Sequence, residues 1–382
     1  MKLPKHLFAI FCFFASAALS AQSGTAADSI FKTTGFYFYT DQDFFVDKYN
    51  EDRNYTMGVN LGIFGPVADQ NFLGMPWLRK KVDKFSGVDQ HHCANNQFNF
   101  PGFSVFVSGF TPLNLDTLNP IIGDRPYASL VCLSSSYVSA NRLMGWAVLS
   151  ELNVGMLGLQ LAPDFQIKVH EEHWLGSTRP TPRGWHNQIS NGGEPTLMYR
   201  IGYRKRLLEQ FWKVEKWPNA KRFQLIGTAE TMLGYYTNAS VGVEAKLGFF
   251  SNNFWEMASG TSLGGNQQGQ GQPKIKSPFV EAYLYAAFRQ RVVGYNALLQ
   301  GQFRRTAYRM GASDIERLVG EYDLGIGARI WKINIQLGVI SGRSPEYRGD
   351  YARPHIWGSF LLRASWDMRF KYTERECPEE NE

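Results

Sequence analysis

The stretch FLLRASWDMRF, Phe360 to Phe370, alternates without a break: Phe360, Leu362, Ala364, Trp366, Met368 and Phe370 fall on one face, Arg363, Ser365, Asp367 and Arg369 on the other. A period of two marks a strand with one apolar and one wet face. Soluble sandwiches contain such strands, but theirs average about five or six residues. A tilted strand that crosses a bilayer needs roughly 9 to 11, and the length here points to a membrane barrel.

The pattern recurs along the chain. In SVGVEAKLGFF, Val241, Val243, Ala245, Leu247 and Phe249 oppose Ser240, Glu244 and Lys246; in WKINIQLGV, Trp331, Ile333, Ile335, Leu337 and Val339 oppose Lys332, Asn334 and Gln336. VEAYLYAAF behaves alike. Charges keep to one face, as expected if that face lines a polar lumen. Aromatics make up 15 % of the chain while mean hydropathy is negative, −0.29, which suits strands greasy on one side only.

This reading places strands near 31–41, 54–64, 101–110, 126–139, 143–155, 195–206, 221–233, 238–249, 279–290, 319–330, 333–343 and 357–370. NALLQGQF, residues 296–303, is a short thirteenth candidate. Bacterial barrels use an even number, which keeps both termini in the periplasm, so the expectation is an all-β, antiparallel up-and-down transmembrane barrel of twelve strands. Parity then puts the connections 42–53, 111–125, 156–194, 234–237, 291–318 and 344–356 on the extracellular rim.

The chain opens MKLPKHLFAIFCFFASAALSAQSGTAAD, with two lysines before an apolar run and small residues after it, the form of a secretory signal peptide. Cleavage between 20 and 27 divides the chain into a leader (1–27), a barrel (28–370) and a periplasmic tail (371–382). No later run reaches the roughly 18 apolar residues of a membrane helix. Net charge is +6, of which Lys2 and Lys5 leave with the leader; the small excess favours an anionic lipid surface, and no nucleic acid is expected as partner. Cys93, Cys132 and Cys377 follow the leader, an odd count that allows one intrachain bridge, with Cys93–Cys132 the candidate pairing.

No GxSxG elbow, HExxH, P-loop or dinucleotide fingerprint occurs. KVHEEHWLG carries His170 and His173 without a nearby third zinc ligand. The first hairpin, FYFYTDQDFFVDKYNEDRNYTMGVNLGIF (Phe36 to Phe64), is more informative, because its tip carries Asp41, Asp43, Asp47, Asp52 and Thr56. Carboxylates there are hard oxygen ligands of the kind calcium takes, and a histidine beside such an ion could act as general base on a water. Equally, acidic residues in a loop commonly do no more than solvate it.

DQDFF followed by NYTMGV resembles the opening signature of the outer-membrane lipid A 3′-O-deacylase family, close to ENDxF and then YTNG. TP (111–112), DRPYAS (124–129), QIKVHE (166–171), RGWHNQI (183–189) and GRSPEYRGD (342–350) match further motifs in the same order, over most of the mature chain. The resemblance implies a twelve-stranded barrel with a short helix in an extracellular loop, and a calcium-dependent site between that helix and the barrel wall. It assigns Asp43 and Asp41 to the metal, Asp41 standing where glutamate is usual. It also implies catalytic roles for His170, which activates water, Thr56 of the YTNG motif, and Gln42, which stands where the family has asparagine. His173 competes with His170, and Glu171 or Glu172 could supply a nearby carboxylate.

The expected protein is therefore a monomeric, calcium-dependent hydrolase of the 3′-linked acyloxyacyl ester of lipopolysaccharide. It would sit in the outer membrane of a Gram-negative envelope with its site facing outward, surrounded by outer-membrane lipids. Arg53, Lys168, Arg179 and Arg183 are candidates for contacting lipid A phosphates. Asp124 and Arg125 read as loop pins, and Trp185 and His186 as residues packed at the rim, where Trp suits a membrane interface. The rivals are a phospholipase or acyltransferase on the same scaffold, and a non-catalytic barrel or pore.

Overall fold

A computed structural model describes residues 29–46, 56–70, 72–93, 97–172, 180–256 and 280–371. The expected leader and the expected tail after Lys371, and Asp47, Asp52, Arg53, His173 and Arg179, lie outside them.

Twelve antiparallel strands close into one barrel: β1 (Ser29–Gln42), β2 (Met57–Phe64), β3 (Gln97–Phe110), β4 (Ala128–Asn141), β5 (Trp146–Leu157), β6 (Glu194–Phe211), β7 (Lys221–Gly234), β8 (Tyr236–Phe250), β9 (Val280–Asn296), β10 (Leu318–Ile330), β11 (Ile333–Arg343) and β12 (His355–Lys371). Each pairs with its sequence neighbours, and β1 pairs with β12 from Ser29↔Lys371 to Gln42↔Gly358. Closure removes the open edge that a sheet in lipid cannot tolerate. Most strands match those read from the alternation to within about three residues, since a period-two pattern is a direct record of which face meets lipid; β6 and β9 run on five and six residues further, to Phe211 and Asn296.

Helices are α1 (Met75–Ser86), α2 (Val88–Cys93), α3 (Leu161–Glu171) and the one-turn α4 (Ala297–Gln300). The last occupies the ambiguous NALLQGQF, where Asn296 caps the turn by accepting from the Leu298 N–H at 3.0 Å. The pair α1–α2 was not foreseen. It lies between β2 and β3, toward the end of the barrel where β1 begins and β12 ends, whereas α3 and α4 belong to the opposite, long-loop end.

The faces sort as expected. Val241, Val243 and Leu247 of β8, and Ile333, Ile335, Leu337 and Val339 of β11, are exposed outward, while Glu244, Lys246, Asn334 and Gln336 are buried inside. Several glycines exist to receive rings: Tyr285 and Tyr283 stand directly across the ladder from Gly325 and Gly327, and a Cβ on either glycine would lie 2.4 and 2.3 Å from the facing tyrosine ring.

The lumen is filled by ion pairs. Arg200 bridges Glu151 (3.2 Å) and Glu230 (2.8 Å), Arg291 and Arg289 reach Glu321 at 3.0 and 3.1 Å, and Arg204 clasps Glu244 at 2.5 Å. Buried charges of this kind tolerate removal of one partner poorly, at a cost of about 3–5 kcal/mol. Toward the termini, the turn after β8 folds inward, placing Phe254 and Trp255 against Phe100, Leu149 and Ile226. Toward the long loops, Tyr235, Leu298, Leu299, Met310, Tyr347 and Trp357 pack as a second apolar layer. Cys132 is buried in that layer as a free thiol, so the Cys93–Cys132 bridge allowed by the cysteine count does not form. The reason is placement: Cys132 points into the lumen, whereas Cys93 ends α2, which packs against β3, β4 and β5 on a different part of the barrel.

Candidate functional site

At the tip of the first hairpin, strand alternation divides neighbouring side chains between the two faces of the wall. Tyr39 and Asp41 turn into the lumen, and the Tyr39 hydroxyl donates to the Asp41 carboxylate at 3.1 Å. Thr40 and Gln42 turn outward, and the Gln42 amide donates to Thr40 Oγ1 at 3.2 Å. The strand then tightens into a single 3-10 turn, Asp43–Phe45, closed by the Val46 N–H to the Asp43 carbonyl at 3.0 Å. Asp41 and Asp43 are only 1 % and 4 % exposed. These two carboxylates do not solvate a loop.

Thr56 enters from the other side of the hairpin. Its N–H bonds the Gly109 carbonyl at 3.0 Å, and its hydroxyl shares a hydrogen bond of 2.7 Å with Thr111 of the TP motif. The ladder places Gln42 opposite Met57, and Met57 opposite Gly109. The three form one outward-facing row next to Thr56.

Helix α3 is laid over this row. Its sequence, LAPDFQIKVHE, carries Pro163 and Asp164 in the first turn and Lys168 and His170 in the last, the order that the helix dipole and the proline constraint favour. Ala162, Pro163, Gln166 and His170 form the buried stripe. A Cβ on Gly109 would lie 3.6 Å from that of Ala162 and 3.5 Å from Met57 Cγ: the helix and the wall are in van der Waals contact there. Gly158 permits the chain to turn from β5 toward α3, with φ +74° and the Ser190 carbonyl 2.0 Å from where a Cβ would stand.

His170 lies at the far end of α3, about 12 Å along the axis from Ala162 at 1.5 Å rise per residue. It is 4 % exposed, and its Nδ1 bonds the Pro180 carbonyl at 2.9 Å. A carbonyl only accepts, so Nδ1 carries the proton and Nε2 of the neutral ring is the basic nitrogen. Glu171 and Glu172 are exposed, and Glu172 pairs with Lys168 at 3.8 Å. Arg183, also exposed, pairs with Asp116 at 3.5 Å.

The remaining matched motifs hold α3 and the rim in place. Trp185 Nε1 donates to Gln166 at 2.8 Å, and its ring lies 4.7 Å from that of Tyr127. Gly184 makes room for Tyr127, whose ring a Cβ there would meet at 2.5 Å. Asp124 accepts from the Leu113 N–H (2.6 Å), the Arg125 N–H (2.8 Å) and the Tyr347 hydroxyl (2.8 Å). Arg125 stacks on Phe110 at 4.2 Å and pairs with Glu346 at 2.8 Å, and Glu346 is also paired with Arg343 at 3.1 Å. Burial would raise the Glu346 carboxyl, but the two guanidinium groups outweigh it and hold the group below the usual carboxylate range. Glu194 accepts from the N–H groups of Phe303 and Arg304 at 2.8 and 3.0 Å, joining the start of β6 to the loop before β10.

Asp124 and Arg125 are thus loop pins, as the sequence suggested. Trp185 is buried beneath α3 rather than standing at a membrane interface, and His186 is exposed rather than packed. Gln166, Tyr127, Glu346 and Tyr347 escaped notice as positioning residues, although each lies inside a motif quoted for the resemblance.

Among the described residues, no three His, Cys, Asp or Glu side chains converge as a metal cluster. The hard donors at the base of the hairpin tip are the Asp43 carboxylate, the Gln42 amide oxygen and the Thr56 hydroxyl, a set chemically suited to calcium. Asp41 sits on the lumen side of the wall.

A protein-family model described as "Outer membrane protein LpxR" matches residues 7–366. Among solved structures, LpxR from Salmonella typhimurium is similar in fold, with TM-score 0.64 at 14 % identity, covering 86 % of this chain and 99 % of that one. The β domain of the Bordetella autotransporter BrkA aligns at 10 % identity over 87 % of this chain and 98 % of its own, with TM-score 0.33. No curated protein sequence matches.

Proposed function

The chain belongs to the LpxR family of outer-membrane proteins, and we propose that it is a lipid A deacylase that hydrolyses the 3′-linked acyloxyacyl ester of lipopolysaccharide. The observation that carries this reading is His170: a buried imidazole whose Nδ1 is committed to the Pro180 carbonyl, on a helix packed against the wall beside Gln42 and Thr56.

Nε2 of His170 takes a proton from water as the water oxygen bonds to the ester carbonyl carbon. Collapse of the tetrahedral intermediate breaks the bond to the sugar 3′-oxygen, which receives the proton, and the acyloxyacyl chain leaves as a carboxylic acid. In this reading Thr56 and the Gln42 amide would donate hydrogen bonds to the developing oxyanion. Calcium, held by Asp43 with the Gln42 and Thr56 oxygens, would polarise the ester carbonyl; Asp41 acts behind the wall, fixing the turn through Tyr39. In this reading the long-loop rim faces outward and the barrel acts as a monomer. A site on the outside of the wall suits a substrate whose acyl chains already lie against it.

The ion-paired lumen, with apolar layers at both ends, supports an enzyme over a pore. Hydrolysis and acyl transfer are separated by incubating the refolded protein with lipid A in detergent and ¹⁸O-water, with calcium or with chelator. The expected result is calcium-dependent loss of the acyloxyacyl mass with ¹⁸O in the released acid. Released acid without the label, acyl chains moved to another lipid, or an unchanged lipid mass with a folded barrel would each overturn the reading.

A further inference from the structure

The connection between β2 and β3 leaves the wall at Phe64 and returns outside the barrel. After the 3-10 turn Pro66–Asp69 it lays α1 across the outer face of β4, β5 and β6. The contacted residues identify that face. Ser150, Leu152 and Tyr199 alternate with Glu151 and Arg200, which belong to the lumen pairs.

The seat is polar and specific. Arg79 and Asp83, one turn apart and both fully buried, pair with each other. The Arg79 guanidinium stacks on Tyr137 at 4.8 Å and reaches Ser150 Oγ at 3.4 Å, and Asp83 accepts from the Tyr199 hydroxyl at 2.9 Å. Met75 and Val82 pack with Ile63, Phe103 and Leu152. An ion pair closed on three strands fixes the roll of the helix, and with it the side turned away from the wall.

That side is graded. Leu78 and Phe85, seven residues apart, share one flank; Lys80 and Lys84, four apart, share the other; Trp77 and Lys81 lie between. Phe85 is 93 % exposed, and Leu73, Trp77 and Leu78 are exposed as well. Lys80 is paired with Asp69 at 2.9 Å. Lys81 stands over the Trp77 ring at 5.7 Å, and Lys84 is exposed. Next to the helix, the outer face of β6 continues as lipid-facing wall through Leu197, Tyr203 and Leu207.

We propose that α1 is an interfacial anchor for anionic phospholipid in the leaflet at the terminal end of the barrel. A helix with an apolar flank, a basic flank and a tryptophan between them lies in the plane of a membrane interface. Leu78 and Phe85 enter the hydrocarbon beside the strands, and Lys81 and Lys84 meet headgroup phosphates. The wall supplies the orientation and the lipid supplies the partner of complementary charge. This placement is independent of the deacylase reading, because it uses the other end of the barrel and none of the proposed catalytic residues.

The test uses the mature protein in phosphatidylcholine nanodiscs containing spin-labelled phosphatidylglycerol, with fold checked by heat-modifiable gel mobility. The wild type should select phosphatidylglycerol over phosphatidylcholine. Lys81→Gln/Lys84→Gln should lower that preference by roughly fivefold per lysine, the contribution of a basic side chain near an anionic surface, without changing the gel shift. A nitroxide at Phe85→Cys, in a background with Cys93 and Cys377 replaced by serine, should be more accessible to oxygen than to a water-soluble nickel chelate. Equal lipid preference in wild type and variant would overturn the proposal. So would a Phe85 label relaxed mainly by the nickel chelate, which would put the helix in water as a surface for a protein partner.

Discussion

Arg125 and Glu346 are 221 positions apart and meet at 2.8 Å in the long-loop rim. Glu346 is held from the other side by Arg343 at 3.1 Å, and Arg125 is covered by the Phe110 ring. The DRPYAS and GRSPEYRGD motifs are thereby one structure, and the loop that follows β3 is tied to the far side of the barrel mouth. Removing one member leaves a buried charge uncompensated. Glu346→Gln and Arg125→Ala should each cost about 3–5 kcal/mol, read as a lower unfolding midpoint in detergent. The double variant should lose less than the sum of the two, as expected for directly coupled partners.

The same pair gives a pH dependence. A carboxyl held below its unfolded pKa contributes stability that is complete above the unfolded value and is lost as pH falls through the folded one. Glu346 is such a group, so the rim should loosen on acidification below the ordinary carboxylate range of about 4 to 4.5 and be unaffected toward alkaline pH. Limited proteolysis of the rim loops across an acid series measures this, and Glu346→Gln should flatten the profile.

Helix α3 depends on a small wall residue. Gly109→Ala adds one methyl at ordinary contact distance from Ala162 and Met57 and should keep most activity. Gly109→Leu wedges the helix off the wall and should lower kcat at least tenfold, with the barrel still showing its heat-modifiable shift. Equal activity in the two variants would mean that α3 need not sit on the wall.

Trp185 positions α3 through Gln166 and Tyr127. Trp185→Phe keeps the ring packing and deletes the N–H, a loss of about 0.5–1.5 kcal/mol for a hydrogen bond. We expect a several-fold fall in kcat with KM little changed, and no further fall when Gln166→Leu is added.

Gln42 differs from the family residue by one methylene. If its amide serves the oxyanion or the metal, Gln42→Asn should retain activity and Gln42→Ala should lose about 10²-fold, the order of one oxyanion donor. Steady-state rates with lipid A in detergent decide between this and a purely structural role, for which the two variants would behave alike.

Most of the barrel was legible in the sequence because lipid on one side and ion pairs on the other write a period of two into most strands. Phe360 to Trp366 and WKINIQLGV lie in the structure with the faces they show on paper. Helix α1 was not legible for a related reason. MPWLRKKVDKFS mixes lysines with Trp77 and Phe85 on its outer side, and its buried stripe is an Arg–Asp pair that reads as surface until Tyr137 and Tyr199 are seen beneath it. At the site, the acidic hairpin tip could be singled out from residue types alone. The separation of Asp41 from Gln42 by the wall, and the seating of Ala162 on Gly109, are consequences of register and needed coordinates. Trp185 was assigned to a membrane interface on general preference, and the hydrogen bond to Gln166 draws it under the helix instead.

The most direct measurement is the single-turnover rate of lipid A deacylation, followed by mass, for wild type, His170→Ala and His173→Ala in calcium. With His170 as the base that activates water, His170→Ala should lose 10²–10⁴-fold, the usual contribution of a general base, while His173→Ala stays within a few-fold of wild type. A His170→Ala enzyme that turns over at the wild-type rate, or a loss confined to His173→Ala, would contradict the assignment of the imidazole held by Pro180 as the catalytic base.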